Sequence, residues 1–191
     1  MTPAELIPLK PARLSELLCA GHPIDPTALD DTRYRGVSLG LPGFVVALTW
    51  RTFIKTFHRD PATGALRGWN VRLEQTGLDG EVVYKTDRRG QPVTFGHYRV
   101  VGAEGYRVPW DCAQGLVIDY GLGGNPALEL TDRLRDPLVA LKPDSVELLL
   151  GVTWVDLGPL QLRTPAYFAL ERLGGLDAVV PVPRPERAPS A

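Results

Sequence analysis

Apolar and polar residues alternate along most of the chain between Tyr34 and Leu173. In one such segment Trp69, Val71 and Leu73 share a face, and the residues between them are polar. This period of two predicts β-strands, which are separated by turn sequences that contain glycine or proline. The predicted strands cover residues 34–41, 66–75, 82–86, 93–101, 106–109, 115–121, 146–157 and 166–173. Residues 126–141 are predicted to form a loop with one helical turn or a short strand.

Two segments have the period of a helix instead. Residues 12–20 carry leucines at helical spacing, and Gly21 follows as a stop signal, so a short amphipathic helix is expected there. A longer helix is predicted over residues 43–60, between the first and second strands. The apolar residues that recur in it at intervals of three and four are Val46, Trp50, Phe53 and Phe57.

The apolar face of the predicted helix 43–60 has two interpretations. In the first it packs on one end of the sheet as ordinary core. In the second it is a lid over a cavity, so that Trp50 or Phe53 touches a ligand. Its opposite face carries Arg51, Lys55 and Arg59, which would then meet an anionic ligand or a membrane headgroup, or would simply be solvated.

The strands are numerous enough for an antiparallel sheet to curl on itself. Six to nine are expected, and closure removes the exposed edges of such a sheet. We therefore predict a mainly β protein, a closed or nearly closed antiparallel β-barrel over residues 34–176 with the inserted helix 43–60. Residues 1–33 form a helical lead-in and loop, and residues 177–191 a Pro-rich tail without a core role. The 20 glycines and 18 prolines fit short elements joined by turns.

The order of these elements resembles that of the calycins, the lipocalin-like and fatty-acid-binding-protein-like barrels. Tyr34, Arg35 and Gly36 open the barrel, the helix follows the first strand, and residues 167–172 resemble a closing strand. The chain lacks a Gly-x-Trp in its first strand and an Arg-x-Tyr pair in its last strand. The resemblance therefore implies the barrel, but not a fatty-acid ligand.

Charge and cysteine content narrow the possible classes of function. Lys and Arg number 21 against 22 Asp and Glu, a net charge of −1, which argues against a nucleic-acid partner. No apolar run reaches the roughly 18 residues of an integral membrane segment, and the N-terminus does not resemble a secretory signal. Cys19 and Cys112 fit two reduced thiols in a cytoplasmic protein, or a disulfide. We expect a cytoplasmic protein.

The polar residues of the strands are candidates for a ligand site. A closed sheet of about eight to ten strands has room for one small ligand, and a few polar groups among apolar walls make a specific pocket. If the polar faces turn inward, Arg72, His97 and Asp119 converge on the ligand. In the default arrangement they face solvent, and Trp69 and Tyr98 face the core.

Asp119 lies in a strongly apolar run, where burial would raise its pKa unless Arg72 or Arg99 meets it. His97 and Asp119 would act as an acid/base couple if the fold brought them within hydrogen-bond distance. The candidate catalytic residues are His97, Asp119 and Tyr120.

The glycine-rich residues 121–126 end in Pro126 where a dinucleotide-binding loop needs glycine, so a turn at the mouth of the barrel is expected. The three histidines are too dispersed for a metal site, and neither a metal nor a cofactor is predicted. Trp110 and Trp154 are further candidates for the interior. The predicted ligand-binding residues are Trp50, Phe53, Trp69, Arg72, Tyr98, Arg99, Trp110, Asn125 and Trp154.

Three functions fit such a barrel. The first is a binding module for a small apolar or amphipathic molecule with a polar handle. The second is a barrel enzyme, an isomerase, cyclase or lyase that uses His/Asp proton transfer. The third is a structural or interaction domain whose interior is filled with side chains, for which the aromatic residues suffice. The first is the function that we predict.

Overall fold

The computed structural model describes residues 1–40, 51–78, 80–110, 115–126 and 130–184. Eight antiparallel strands follow one another around a closed barrel, and the last strand pairs with the first. The predicted mainly β fold with a closed barrel is therefore confirmed. The strands are β1 (Thr32–Leu39), β2 (Thr52–Arg59), β3 (Leu66–Arg72), β4 (Thr94–Gly102), β5 (Leu116–Asp119), β6 (Leu134–Lys142), β7 (Ser145–Asp156) and β8 (Gln161–Gly175).

Two helices precede the barrel, α1 (Pro3–Leu6) and α2 (Pro11–Cys19), and a 3₁₀ helix follows at Pro26–Leu29. Helix α2 is the one predicted from the leucine spacing. Leu14 and Leu18 are fully buried on the outside of the barrel, in a cluster that includes the outward side chains of β6, β7 and β8. The two helices therefore cover one outer face of the sheet. Cys19 is a partly buried free thiol, and Cys112 lies outside the described residues.

The helix predicted over residues 43–60 is wrong in its second half, where Thr52–Arg59 forms strand β2. Residues four apart share a face in a strand as well as in a helix, so Phe53 and Phe57 satisfied both periods. The β-branched and aromatic residues of this segment favour the extended form. Both faces of β2 are buried, which hid its alternation. Residues 41–50, with Val46 and Trp50, lie outside the described part of the chain.

Other predicted strand boundaries also shift. Residues 82–86 and 106–109 are not strands, although Tyr84 makes an isolated antiparallel pair with Leu73. The segment 126–141, predicted as a loop with a helical turn or a short strand, contains the full-length strand β6 preceded by a 3₁₀ helix at Leu130–Arg133. Asp136 and Pro137 lie within β6, where a proline is unusual.

Two halves of the barrel interior differ in their side chains. We call the end at which β2 leads into β3 the packed half. It is filled by apolar groups, and Ile24 and Leu29 from the chain before the barrel close it. Its strand residues are Tyr34, Phe57, Leu66, Val100, Leu116, Leu138, Ala140, Leu149 and Leu170.

The opposite end of the interior is the polar half. Buried charged and amide side chains line a cavity here together with aromatic rings. It is defined by Phe53, Lys55, Asn70, Tyr120, Asp136 and Phe168.

The chain after the barrel covers a second outer face of the sheet. Leu176 and Val180 pack against a buried cluster on β2 and β3 that includes Trp69. Arg67 donates a hydrogen bond of 2.9 Å to the Val180 carbonyl, and Asp177 forms an ion pair with Arg33. Of the described residues of the predicted Pro-rich tail, 177–184, Val180 packs against this cluster and helps to shield its apolar side chains from water.

Candidate functional site

A cavity of about 180 Å³ occupies the polar half of the interior. Its walls are mostly apolar, with rings from β2, β4 and β8 and a few polar groups between them. That composition is typical of a ligand pocket. The lining residues are Ser38, Phe53, Lys55, Asn70, Phe95, Gly96, Tyr120, Thr131, Leu134, Asp136, Thr153, Ala166, Tyr167 and Phe168.

Two glycines make room for the aromatic walls. A Cβ atom on Gly36 would lie 2.4 Å from the ring of Phe53, and one on Gly151 would lie 2.3 Å from the ring of Phe168. These separations are too short for any side chain. The rings of Phe53 and Phe168 lie 6.3 Å apart in an edge-to-face arrangement. The strands next to the rings therefore determine where the walls of the cavity stand.

Lys55 is the least expected residue of the interior. It follows Phe53 by two residues and precedes Phe57 by two, so the alternation of β2 turns all three side chains inward. Only 1% of the Lys55 surface is exposed. A buried lysine is costly to fold unless polar partners meet its amine.

A chain of hydrogen bonds connects Lys55 to a buried carboxylate. Lys55 Nζ donates to the Tyr120 hydroxyl at 2.8 Å, and that hydroxyl donates to Asp136 Oδ2 at 2.9 Å. Lys55 Nζ lies 3.7 Å from Asp136 Oδ2, and Asp136 is also only 1% exposed. The other carboxylate oxygen, Oδ1, has no hydrogen bond of normal geometry from a described residue, although the Thr153 side chain lies close enough to the carboxylate to lower its pKa.

Burial shifts the pKa values of Lys55 and Asp136, the two ends of this hydrogen-bond chain, so that the neutral form of each side chain is favoured. Desolvation lowers the pKa of Lys55 to about 8, and the attraction of Asp136 only partly offsets it. Desolvation also raises the pKa of Asp136, against the positive charge of Lys55. The pKa of Tyr120 is raised well above its ordinary value by burial and by the nearby carboxylate. Tyr120 therefore stays protonated and can pass a proton between its neighbours.

Aromatic rings surround the Lys55 amine on its other sides. Nζ lies 4.6 Å from the ring centroid of Tyr98, 5.1 Å from that of Tyr120 and 5.2 Å from that of Phe168. Such contacts stabilise the ammonium form by cation–π attraction. They also leave little of the amine exposed to bulk solvent, since Lys55 is only 1% exposed.

Tyr120 is held in place from outside the barrel. The Asp119 carboxylate accepts hydrogen bonds from the backbone N–H groups of Gly121 and Leu122, which fixes the 3₁₀ turn that begins at Tyr120. The Asn125 amide donates to the Tyr120 carbonyl at 2.8 Å and to the His97 carbonyl at 2.7 Å. Asp119 and Asn125 thus position the ring without touching the cavity.

The structure brings together only some of the residues predicted as a site. Phe53 and Tyr120 line the cavity, and Tyr98 lies beside Lys55. Trp69, Trp110 and Trp154 are buried on the outer face of the barrel instead of inside it.

Two arginines predicted for the site have other positions. Arg72 lies over the ring of Phe95, with 5.6 Å between its guanidinium carbon and the ring centroid. Arg99 stands opposite Asp119 in the β4–β5 pair. Neither is a lining residue of the cavity. Trp50 lies outside the described residues.

His97 and Asp119 do not form the acid/base couple that was considered. The His97 ring lies against Trp69, 6.3 Å between centroids, and burial lowers its pKa to about 4, so it is neutral at pH 7. The Asp119 carboxylate binds the Tyr106 hydroxyl at 2.6 Å and Arg135 at 2.8 Å. Arg135, not Arg72 or Arg99, is therefore the cation that meets Asp119.

Sequence reasoning considered Lys55 only as a residue that could meet an anionic ligand at the mouth of the barrel, and it did not single out Asp136. Treating residues 43–60 as a helix placed Lys55 on the face opposite Phe53 and Phe57, whereas a period of two places all three together. Asp136 precedes a proline, which favoured a loop there. The signal that could have found Lys55 is the run Thr-Phe-Ile-Lys-Thr-Phe, which is rich in strand-forming residues.

Within the described ranges, no group of three or more His, Cys, Asp or Glu side chains is placed to hold a metal ion. No helix in that part of the chain has the length and apolar character of a membrane span. Comparisons with protein-family models, with curated proteins and with solved structures found no match for this chain. Its function must therefore be argued from the site itself.

Proposed function

We propose that this protein is a small-molecule binding barrel of the calycin-like type. Its ligand is a compact molecule with an apolar body and a neutral polar handle. The observation that supports this most is the chain from Lys55 through Tyr120 to Asp136, buried beside a cavity with aromatic walls. An eight-stranded barrel whose strands pair in sequence order is also the architecture of the lipocalins.

The size of the cavity limits the ligand. An engineered apolar cavity of about 150 Å³ holds one benzene molecule. The cavity of about 180 Å³ here therefore suits a single six-membered ring with one small substituent. A ring of that kind would pack against the rings of Phe53 and Phe168, which contact each other edge to face and form one wall of the cavity.

The charges of the site favour a neutral ligand. Lys55 and Asp136 carry opposite charges, or none if the proton moves between them, so the site is neutral in either case. A carboxylate or an ammonium group on the ligand would leave one uncompensated charge beside the buried pair, which costs free energy because the site is largely desolvated. A hydroxyl or a carbonyl adds no charge.

The site also offers hydrogen bonds for such a handle. The Lys55 ammonium has three N–H groups, of which one is donated to Tyr120. Asp136 Oδ1 has no hydrogen bond of normal geometry in the described part of the chain, and the neutral Thr153 side chain lies near the carboxylate. A hydroxyl group can therefore accept from Lys55 and donate to Asp136, which would satisfy the buried oxygen.

Calorimetric titration with three probes that share a ring tests this proposal. Benzyl alcohol is expected to bind with one molecule per chain, and benzoate and benzylammonium to bind at least about tenfold more weakly. Equal binding of all three probes, or no binding of benzyl alcohol, would contradict the proposal.

A pair of matched variants locates the bound probe. Ala166 lines the cavity, so Ala166→Phe fills it and should abolish binding of benzyl alcohol. Ala62 is exposed in the β2–β3 connection, so Ala62→Phe adds the same ring to the surface and should leave binding unchanged. A loss of binding in both variants, or in neither, would place the probe elsewhere.

A further inference from the structure

Lys55 has a feature that simple binding does not require. Its amine is a nucleophile when neutral, it lies at the wall of the cavity, and it is shielded from water. The other three lysines, Lys10, Lys85 and Lys142, are exposed to solvent. Only Lys55 therefore combines an amine with a cavity that can hold an organic molecule against it.

We propose that Lys55 forms a Schiff base with a small aldehyde or ketone bound in the cavity. This proposal rests on the proposed function, because the carbonyl compound must first occupy the binding site. It names the substrate class of that site as compact carbonyl compounds, which have the neutral polar handle that the charges favour.

The hydrogen-bond chain supplies the neutral amine. Lys55 Nζ donates to the Tyr120 hydroxyl, and Tyr120 donates to Asp136. When Tyr120 passes its proton to Asp136 and takes one from Lys55, the result is a neutral amine and a carboxylic acid. Burial favours this form, since it lowers the pKa of Lys55 and raises that of Asp136.

The covalent step then proceeds with the groups at hand. The Nζ lone pair forms a bond to the carbonyl carbon while the π bond of the carbonyl breaks towards oxygen. A proton moves from nitrogen to that oxygen, which gives a neutral carbinolamine. Asp136 donates its proton to the hydroxyl, the C–O bond breaks, and water leaves. The products are a protonated imine on Lys55, water and the Asp136 carboxylate, so atoms and charge balance without an oxidant or reductant.

The geometry also favours the product over hydrolysis. The protonated imine keeps a positive charge next to the Asp136 carboxylate, 3.7 Å from Nζ. The rings of Tyr98 and Phe168 that stabilise the ammonium also face the iminium. Asp136 thus acts first as the acid and then as the counterion.

Reductive trapping of the wild-type protein tests this proposal. The protein is incubated with benzaldehyde and sodium cyanoborohydride at about pH 7.5, and the benzylated lysines are located by peptide mass spectrometry. We expect Lys55 to be labelled at least about tenfold faster than the three exposed lysines, because more of its amine is neutral. Excess benzyl alcohol should slow the labelling of Lys55 only.

The outcomes separate this inference from the proposed function. If benzyl alcohol binds by calorimetry but Lys55 is labelled no faster than the exposed lysines, the Schiff base is contradicted and the binding function stands. If benzyl alcohol does not bind and Lys55 is not labelled preferentially, both are contradicted.

Two variants test the role of the hydrogen-bond chain. Lys55→Met should lose the preferential adduct, with only the exposed lysines labelled. Tyr120→Phe keeps the ring but removes the hydroxyl that connects Lys55 to Asp136, and should slow labelling of the lysine about tenfold or more. Unchanged labelling in Tyr120→Phe would contradict the proton path. If either variant fails to fold, the comparison among the four lysines of the wild-type protein still decides the proposal.

Discussion

The packed half and the polar half of the barrel interior are built from the same strands, yet their side chains have opposite effects on stability. β2 gives Phe57 to the packed half and Lys55 to the polar half, and β6 gives Leu138 to the first and Asp136 to the second. The packed half buries apolar side chains from several strands against one another, so it contributes stability. The polar half holds a buried ion pair and a hollow, both of which cost stability. A few inward-facing residues therefore decide whether a strand contributes to the close-packed core or to the cavity with its buried ion pair.

Truncation of Phe57 is expected to have the largest effect on this comparison. Its ring is fully buried and contacts Tyr34 and Tyr98 edge to face. Phe57→Ala should lower the free energy of unfolding by about 3–5 kcal/mol, because it leaves a void in a close-packed core. Urea denaturation measures this loss. The folded fraction should still bind benzyl alcohol, and a loss below about 1 kcal/mol would show that the packed half is not the stabilising one.

Removal of the Asp136 carboxylate is expected to have the next largest effect. Asp136→Leu should lower the free energy of unfolding by about 3 kcal/mol, because it leaves Lys55 buried without its counter-charge. The double variant Lys55→Met, Asp136→Leu should be at least as stable as the wild type, since two apolar groups replace a desolvated pair. Denaturant unfolding of both variants provides the test. A double variant less stable than Asp136→Leu alone would show that the pair is retained for stability.

A smaller effect is expected from pH. Burial lowers the pKa of Lys55 to about 8 from its ordinary 10.5, so above pH 8 the unfolded chain binds more protons at this residue than the folded one. The free energy of unfolding should therefore rise by roughly 1–2 kcal/mol between about pH 8 and about pH 9.5, relative to Lys55→Met. Above about pH 10 the buried Tyr98 and Tyr120 oppose this, because their raised pKa values keep their protons only in the folded state. If the free energy of unfolding has the same pH dependence in the wild type and in Lys55→Met, the lowered pKa of Lys55 is contradicted.

The fold could be predicted because alternation is a local property of the sequence. The closing strand and the central strands show a clear period of two, and closure follows from the need to pair every edge. Strand β2 was not predicted, because apolar residues on both of its faces mask that period. The outer face of β2 is buried because distant parts of the chain, among them Val82 and Val180, pack over the cluster that includes Trp69. No local pattern reports such a contact.

The candidate site was less predictable for the same reason. Trp69 was expected to face either the core or a ligand. It lies on the outer face of the sheet instead, where the chain after the barrel buries it. Tyr120 was predicted together with its neighbour Asp119, but the chain turns into a 3₁₀ helix at Tyr120, and of these two residues only Tyr120 lines the cavity. Asp136 and Lys55 lie 81 positions apart, and only the register of the barrel brings them together.

A crystal structure of the wild-type protein grown with benzyl alcohol would test the central claim most directly, namely that the polar half is a hollow built to receive a small ligand. It should show the ring packed against Phe53 and Phe168 in the cavity, with its hydroxyl within hydrogen-bond distance of Lys55 Nζ or Asp136 Oδ1. The packed half should be filled by its own side chains. An interior in which the polar half has closed on itself, with no ring bound there, would contradict the claim.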